Sequence, residues 1–370
     1  MRGAPTRTAQ DAKTLARRYY AGSDIYDAET QKVFFKRWLY AGRETSLNGP
    51  GSYFLREIET ESVIVLRDGV GELRAHHNVC RHRGTRLIAE PEGQLSKSIQ
   101  CPYHAWTYGL DGALIGAPLM DEVESFRQED YPLKSVAVAT WEGCVFINLA
   151  MDVEPFEEAY APLIDKFGSW TIDELEIAHS VTYEVPANWK LVCQNYSECY
   201  HCPNLHPVLN RLTPFRNALN DLEEGPFLGG PMRMAIDGGS MTMSGQRCAS
   251  PLGDLSGEEL NCVQYYTIYP NMLLSLHPDY VLIHRLERLA TNQTRVICDW
   301  LFHPDAMSEP GFDPSGAIEF WNMTNKQDWD VSARSQQGIS SLAYTPGPYS
   351  ELESMIAAWD REYLGSIVDC

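Results

Sequence analysis

Two short segments of this chain of 370 residues each contain one cysteine and one histidine at metal-ligand spacing. One residue separates Cys80 from His82, and two residues separate Cys101 from His104. A buried cysteine beside an unrelated histidine is common once, but two such pairs close together in the chain indicate a metal site. Four ligands of this kind could hold a structural zinc ion. They could instead hold a [2Fe–2S] cluster in which the cysteines bind one iron and the histidines the other. Each segment supplies one ligand of each kind, which favours the two-iron cluster.

Short strands separated by turns surround these two segments. Apolar and β-branched runs predict eight strands, namely Tyr53–Ile58, Ser62–Arg67, Glu72–Asn78, Ser98–Gln100, Trp106–Gly109, Ala113–Ile115, Val136–Thr140 and Val145–Leu149. This spacing is typical of a small all-β domain, which we predict to span residues 38–152. Apolar residues at loose helical spacing before it predict N-terminal helices within residues 1–37 that pack on a larger body.

Beyond residue 152 the pattern becomes a mixture of helices and strands. The predicted helices are Glu154–Gly168, Trp189–Cys202, Gly316–Ser335 and Ser350–Leu364. The predicted strands are His179–Pro186, Val263–Ile268, Asn271–Leu276, Tyr280–Leu286 and Thr294–Phe302. Between them, Arg211–Ser250 has no clear period and is predicted to be rich in loops. The predicted fold class is therefore α+β, with the all-β domain inserted between the N-terminal helices and a second domain of residues 153–370.

A second group of ligand-type residues lies in the predicted helix Trp189–Cys202 and just after it. Glu198 and His201 are three residues apart, so a helix would place them one turn apart on the same side. Pro203 predicts the end of the helix, after which His206 is free to turn back toward His201. One histidine near a helix end usually belongs to a core, but two histidines after a carboxylate favour a metal. Two imidazoles and one carboxylate form the ligand set of non-haem Fe(II) oxygenases.

Taken together, these motifs resemble the large (α) subunits of the Rieske non-haem iron oxygenases, the aromatic-ring-hydroxylating dioxygenase family. The matching segments are Asn78–Gly84, Cys101–Trp106, Trp141–Leu149, Asn195–Pro207, Tyr265–Ser275, Gln327–Gly338 and Tyr344–Gly347. The resemblance implies a Rieske [2Fe–2S] cluster on Cys80, His82, Cys101 and His104. It also implies a catalytic domain with a central antiparallel sheet flanked by helices, of the helix-grip type.

The same resemblance implies roles for the residues of the second group. In the family, the residue that matches Glu198 is not a ligand, but carries electrons from a cluster histidine of one subunit to an iron histidine of the next, within a ring of three subunits. The mononuclear iron would then be held by His201, His206 and a carboxylate in the segment resembling Gln327–Gly338. By that match the carboxylate is Asp328, and Asp330 is the alternative.

The substrate prediction rests on the sequence around the bridging residue. Glu198 stands where ring-dihydroxylating members have aspartate, and Glu198–Cys202 resembles members that act on quaternary ammonium compounds such as betaine and carnitine. Asn195 is a further catalytic candidate. Aromatic residues suit either an ammonium group or an arene, and those that could line a pocket are Tyr200, Tyr265, Tyr269, Trp321 and Trp329.

The predicted function is that of the terminal oxygenase component of a Rieske-type system. It would use O2 and electrons from NAD(P)H, delivered by a separate reductase and in some systems a ferredoxin, to hydroxylate a small organic substrate. Oxidative N-demethylation or C–N cleavage of a quaternary ammonium compound is favoured. Hydroxylation or dihydroxylation of an aromatic compound is the alternative, and a non-enzymatic zinc-binding protein is the alternative of another class.

Charge and composition restrict the partners of the chain. With 50 acidic and 30 basic residues, its formal net charge is −20, which disfavours binding to nucleic acids and anionic membranes. No apolar run approaches the roughly 20 residues of a transmembrane helix, and Met1–Tyr20 does not resemble a secretory signal. Ten cysteines are too few for a disulfide scaffold, and those beside histidines indicate metal ligands in a reducing compartment. We therefore predict a cytoplasmic protein and, from the resemblance, a homotrimer.

Overall fold

The computed structural model describes residues 12–367 of the chain, so the first part of the predicted helical region 1–37 lies outside the described residues. The chain divides into two compact units. The β unit is Phe34–Ala159, and the α+β unit combines the residues up to Val33 with those from Tyr160 onward. No helix between residues 12 and 367 has both the length and the apolar character needed to cross a membrane.

Two short helices begin the described part of the α+β unit, α1 (Arg18–Ala21) and α2 (Ser23–Glu29), and the π-helical turn Thr30–Phe34 follows them. Glu29, at the end of α2, is buried and accepts hydrogen bonds from the Trp189 indole (2.9 Å), from Lys190 and from Arg288 (2.8 Å). A buried carboxylate is tolerated because it is paired and fully hydrogen-bonded. These contacts fix α2 against later elements of the same unit.

Three antiparallel sheets form the β unit, with strand orders β1-β10-β9, β4-β3-β2-β5 and β6-β7-β8. The strands are β1 (Leu39–Arg43), β2 (Ser52–Ile58), β3 (Glu61–Arg67), β4 (Leu73–His77), β5 (Glu92–Gln94), β6 (Ser98–Gln100), β7 (Thr107–Gly109), β8 (Leu114–Gly116), β9 (Ala137–Trp141) and β10 (Cys144–Asn148), and the short helix α3 (Phe156–Ala159) ends the unit. All eight predicted strands are present within two residues of their predicted ends, whereas β1 and β5 were not predicted. The run Val63–Val65 is fully buried, as its continuous β-branched character predicts.

A six-stranded antiparallel sheet forms the centre of the α+β unit, in the order β11-β16-β15-β14-β13-β12. Its strands are β11 (Glu176–Val185), β12 (Phe227–Arg233), β13 (Cys262–Ile268), β14 (Met272–Leu276), β15 (Val281–Ala290) and β16 (Gln293–Phe302). The helices are α4 (Trp189–Tyr196), α5 (Cys202–Leu205), α6 (Pro207–Leu212), α7 (Pro304–Ser308), α8 (Ser315–Ile339) and α9 (Ser354–Ile367). The long helix α8 packs against α4 and β11, and α9 packs against β12. The α+β fold with a central antiparallel sheet flanked by helices is thus confirmed.

Two of the predicted helices are shorter than the pattern suggested. The predicted helix Glu154–Gly168 contains only the four residues of α3, because Pro162 can neither donate a backbone hydrogen bond nor continue a helix. The predicted helix Trp189–Cys202 ends at Tyr196. There, both the N–H and the hydroxyl of Ser197 donate to the Cys193 carbonyl, at 3.1 and 2.7 Å. Beyond this last turn, the backbone N–H groups of Tyr200 and His201 donate to the Glu198 carboxylate and not to helical carbonyls.

A strand inside the predicted loop region was missed. β12 lies within Arg211–Ser250 and pairs with β13 along its whole length. Its two glycines conceal the strand pattern, but the packing requires them. A Cβ on Gly229 would lie 1.9 Å from the Tyr265 carbonyl oxygen, and one on Gly230 would lie 2.1 Å from the Leu219 carbonyl oxygen.

Candidate metal centres and the adjacent cavity

The two Cys/His segments of the β unit fold into loops of the same design. Cys80 donates its N–H to the Thr85 carbonyl at 2.8 Å, and its carbonyl accepts from Gly84 at 3.0 Å. Cys101 likewise donates to the Trp106 carbonyl at 2.8 Å and accepts from Ala105 at 3.1 Å. Residues 84 and 105 both have positive φ, 73° for the glycine and 58° for the alanine, which closes each turn tightly. Each loop therefore holds its own cysteine by local backbone bonds.

The four donors of these loops differ in their exposure to solvent. The thiols of Cys80 and Cys101 are free and only 2% and 3% exposed, whereas the His82 and His104 side chains are exposed. The two imidazole rings lie side by side, with centroids 4.8 Å apart. A pair of buried sulfurs beneath a pair of outer imidazoles fits a two-iron cluster whose inner iron takes thiolates.

Aromatic side chains surround the first pair of ligands. Trp106 is buried and stacks on the His82 ring at 4.8 Å with an interplanar angle of 5°. Tyr108 is fully buried, and its hydroxyl lies 3.3 Å from the Cys80 sulfur. The same hydroxyl oxygen accepts the backbone N–H of Arg81 at 2.9 Å. Burial, together with the adjacent sulfur, raises the pKa of Tyr108, so the phenol keeps its proton and can donate it to a thiolate.

The second group of donors lies in the α+β unit, where three elements meet. His201 immediately precedes α5, His206 lies between α5 and α6, and Asp328 comes from α8. The Asp328 Oδ1 atom is 2.8 Å from His206 Nε2 and 3.4 Å from His201 Nε2. One donor atom from each residue lies within 4.8 Å of the others. In the described part of the chain, this is the one group of three or more donors that lie close enough together to bind a single ion. The four Cys/His donors of the β unit do not lie that close together.

Both imidazoles are oriented by a second partner. His201 Nδ1 lies 2.5 Å from the Glu198 carboxylate, and His206 Nδ1 lies 2.7 Å from the Gln327 side-chain oxygen. An Nδ1–H that donates to an outer oxygen leaves Nε2 free as a ligand, which is the usual arrangement around metal-bound histidine. The geometry therefore fits a mononuclear iron with two imidazoles and one carboxylate on one side.

The charges of the group favour a cation at its centre. Burial would lower the pKa of His201, but the hydrogen bonds and charges of Asp328 and Glu198 outweigh it and raise that pKa to about 10. Burial would raise the pKa of Asp328, but its two histidine partners hold that pKa below the ordinary value. Without a metal, the carboxylates therefore retain a proton on the imidazole, and a divalent cation can take the place of that positive charge.

Glu198 does not lie on helix α4, because the helix ends two residues before it. Its carboxylate turns back and accepts the backbone N–H groups of Tyr200 and His201, the latter at 3.3 Å. Cys199 and Cys202 form a disulfide across this turn, with 4.9 Å between their Cα atoms. The pairing of Glu198 with His201 was predicted, but the reason given was wrong: a turn, and not a helical repeat, brings them together. The disulfide was not predicted, although the Cys-x-x-Cys spacing is compatible with it.

The remaining predicted site residues differ in whether they line a cavity beside the three converging donors. Asp330 faces solvent, with its side chain 61% exposed and paired to Arg334 at 2.8 Å. Asn195, on α4, is half-buried and lines a cavity of about 230 Å³ that also contacts all three converging donors. Among the five predicted pocket aromatics, Tyr200, Tyr265 and Trp321 line this cavity. Tyr269 instead packs on Trp189 and Trp359, and Trp329 on Tyr183 and His284.

Sequence reasoning missed several residues of the cavity wall. They are Tyr196, Leu209, Phe215, Arg216, Leu228, Gly229, Gly230, Met232 and Glu351. Most come from the region that was predicted to be loops without a period. Tyr196, at the end of α4, lines the cavity, and its hydroxyl donates to the Leu274 carbonyl at 2.9 Å. Nothing in the local sequence indicates that these segments converge.

Comparisons with known proteins match both units. The family described as a Rieske [2Fe-2S] domain matches residues 37–127, and the family described as the catalytic domain of the ring hydroxylating alpha subunit matches residues 172–366. The glycine betaine monooxygenase oxygenase subunit of Chromohalobacter salexigens is 32% identical over 373 residues, covering 93% of this chain and 83% of that protein. The carnitine monooxygenase oxygenase subunit of Escherichia coli is 36% identical over 200 residues, covering 54% and 53%.

A solved structure gives the same fold. A quaternary ammonium Rieske monooxygenase superimposes with a TM-score of 0.82 at 23% identity, over 96% of this chain and 95% of that one. The family matches confirm the predicted [2Fe–2S] cluster and mononuclear iron. The alternative of a zinc-binding protein without enzymatic activity is wrong.

Proposed function

We propose that this chain, which belongs to the ring-hydroxylating α-subunit family of Rieske oxygenases, demethylates or cleaves a quaternary ammonium compound. The observation that carries the proposal is the cavity on which His201, His206 and Asp328 converge, since the residues that line it include Tyr196, Tyr265 and Trp321. Aromatic faces attract a cation that lacks hydrogen-bond donors, as a trimethylammonium group does. The relatives named for glycine betaine and carnitine support the same substrate class.

The assignment of ligands is part of this proposal. Cys80, His82, Cys101 and His104 would hold the [2Fe–2S] cluster in a domain of residues 38–152. His201, His206 and Asp328 would hold the mononuclear iron in a catalytic domain of residues 153–370. When bound, the cluster supplies electrons received from a reductase, and the iron supplies the activation of O2.

The protein side chains around the iron site orient its ligands. Glu198 and Gln327 fix the two imidazole rings through Nδ1, so that both Nε2 atoms face Asp328. Glu198 would also form the bridge for electrons between neighbouring subunits of a homotrimer, and Asn195 would contact the substrate or O2 in the cavity. A cytoplasmic location would keep the cysteine ligands of the cluster reduced until assembly.

The overall reaction balances as follows for an N-methyl substrate. One oxygen atom of O2 is inserted into a C–H bond of the methyl group, and the other leaves as water with two electrons and two protons. The N–CH2OH product then breaks its C–N bond, which releases formaldehyde, a proton and the tertiary amine. The aromatic walls position the ammonium group, so that one methyl carbon faces the three donors.

The test uses the purified protein with both metal centres loaded and chemically reduced. Glycine betaine, carnitine, choline and benzoate are added separately in the presence of O2, and formaldehyde, trimethylamine and hydroxylated products are measured. We expect about one product molecule per mononuclear iron with a quaternary ammonium compound and none with benzoate. Hydroxylated benzoate, without product from any quaternary ammonium compound, would instead support aromatic hydroxylation, because the same rings can stack on an arene.

A further inference from the structure

One arginine is among the residues that line the cavity. Arg216 is the one lysine or arginine among the described residues that line the cavity. Its guanidinium lies 5.1 Å from the centre of the Phe215 ring, and it forms no ion pair with any described carboxylate. Arg216 is exposed at the cavity, in a chain of net charge −20. Arginine presents a planar fork of donors that matches a carboxylate.

The acidic residues of the same cavity do not occupy this arginine. Glu198 is bonded to His201, and Asp328 lies between two imidazoles. Glu351, exposed at the cavity, also forms no ion pair with Arg216 in the described part of the chain. The guanidinium is therefore available to a ligand.

The backbone holds Arg216 in place at the cavity. It sits in the short 3₁₀ turn Phe215–Asn217. The first residue of this turn donates its N–H to the Asn210 side chain at 3.0 Å, and the last donates its side-chain amide to the Arg233 carbonyl of β12 at 3.2 Å. The turn is thus attached to both α6 and the central sheet, so the position of the arginine does not depend on a free loop.

We infer that Arg216 is a specificity-determining residue that binds the carboxylate of a zwitterionic substrate, a betaine, while the aromatic rings hold its ammonium group. The inference rests on the proposed function and narrows its substrate class to quaternary ammonium carboxylates. Choline has the same trimethylammonium group as glycine betaine but a neutral hydroxymethyl group in place of the carboxylate. Arg216 favours the binding of glycine betaine over choline, because a guanidinium binds an anion more strongly than a neutral hydroxyl.

The experiment compares Arg216→Gln with the wild-type protein on glycine betaine and choline. Dissociation constants are measured by calorimetry, and KM and kcat by formaldehyde release. We expect Arg216→Gln to raise the Kd and KM for glycine betaine about fivefold, the upper end of the effect of losing one charged pair at an exposed site. The Kd and KM for choline should not rise, because the substitution removes only a positive charge that repels its ammonium group. Arg216→Lys should recover part of the loss, since it restores charge without the fork.

Two controls separate this role from a general effect on folding. Arg211→Gln removes an exposed arginine of α6 that does not line the cavity, and it should bind both ligands as the wild type does. Raising the salt concentration should weaken glycine betaine binding in the wild type but not in Arg216→Gln.

The possible failures are distinguishable. If Arg216→Gln weakens glycine betaine and choline equally, or changes neither, the inference is wrong while the proposed function stands. If the wild-type protein, with both metal centres loaded, neither binds nor converts any quaternary ammonium compound, the proposed function and the inference both fail.

Discussion

Replacing Tyr108 by phenylalanine tests the electronic environment of the predicted cluster. The hydroxyl lies 3.3 Å from the Cys80 sulfur, and its oxygen is already occupied by the N–H of Arg81 at 2.9 Å. Its proton is therefore directed at the sulfur. Reduction adds negative charge to the cluster and its ligands, so this hydrogen bond stabilises the reduced form more than the oxidised form. Removing it should lower the reduction potential.

The size of the shift follows from the strength of the bond. A hydrogen bond to a charged acceptor contributes about 1.5–3 kcal/mol in total. If about 1 kcal/mol of this differs between the two oxidation states, the potential falls by about 40 mV, since a tenfold change in equilibrium constant is 59 mV for one electron. Ring packing is preserved, because phenylalanine retains the buried aromatic ring and loses only the hydroxyl.

The measurement is a redox titration followed by the visible spectrum or by electron paramagnetic resonance, on preparations of equal cluster content. Tyr131→Phe is the matched control, because its ring contacts Trp106 at 5.8 Å but its hydroxyl has no hydrogen bond to Cys80 or Cys101 among the described residues. An unchanged or more positive potential in Tyr108→Phe, at full cluster content, would show that the hydroxyl does not donate to a ligand sulfur.

Three further predictions concern the α+β unit. Asp328→Ala should lose the mononuclear iron and at least about 99% of turnover while the cluster spectrum remains. Asp330→Ala should behave as the wild type in metal analysis and product formation. The reverse result would make Asp330 the ligand. Glu198→Gln should keep both metal centres and normal cluster reduction, but product formation should fall by a factor of about ten or more. Loss of the mononuclear iron would make Glu198 a ligand, and full activity would remove it from the mechanism. Burial raises the pKa of Asp360 from 3.8 to about 7, so the folded chain holds a proton that the unfolded chain has released, and stability falls as the pH rises between these values. Asp360→Asn should flatten this dependence in urea unfolding at pH 5 and pH 7.5, and an equally steep dependence would contradict the assignment.

The donors of the cluster were predictable because their geometry is local. In each loop, a cysteine and a histidine are separated by one or two residues, and the backbone bonds that close the turn lie within the same loop. The spacing of Cys80 and His82 in the sequence therefore almost determines how close the two side chains lie in the structure. The same holds for the strands, whose alternating or continuous apolar runs determine which face is buried, whatever their partners are.

The mononuclear site was predictable only in part. His201 and His206 are close in sequence, and the residues between them form one short helix, so their proximity is again local. The predicted helical relation of Glu198 to His201 was wrong, because the Glu198 carboxylate accepts the N–H groups of Tyr200 and His201 that a further turn of helix would have used. Local propensity cannot decide such a competition, since the alternatives differ by about one hydrogen bond.

Contacts between distant segments decided the rest. Asp328 and Asp330 are two positions apart on α8, so they point to nearly opposite sides of the helix, and only its packing determines which one meets the histidines. Packing likewise places Trp321 in the cavity wall and Trp329 outside it. Arg216 reaches the cavity because its turn is bonded to a strand that the sequence pattern did not reveal. The sequence by itself determined which side chains were available as ligands, and the tertiary structure determined which of them face the same space, because that depends on contacts between residues far apart in the chain.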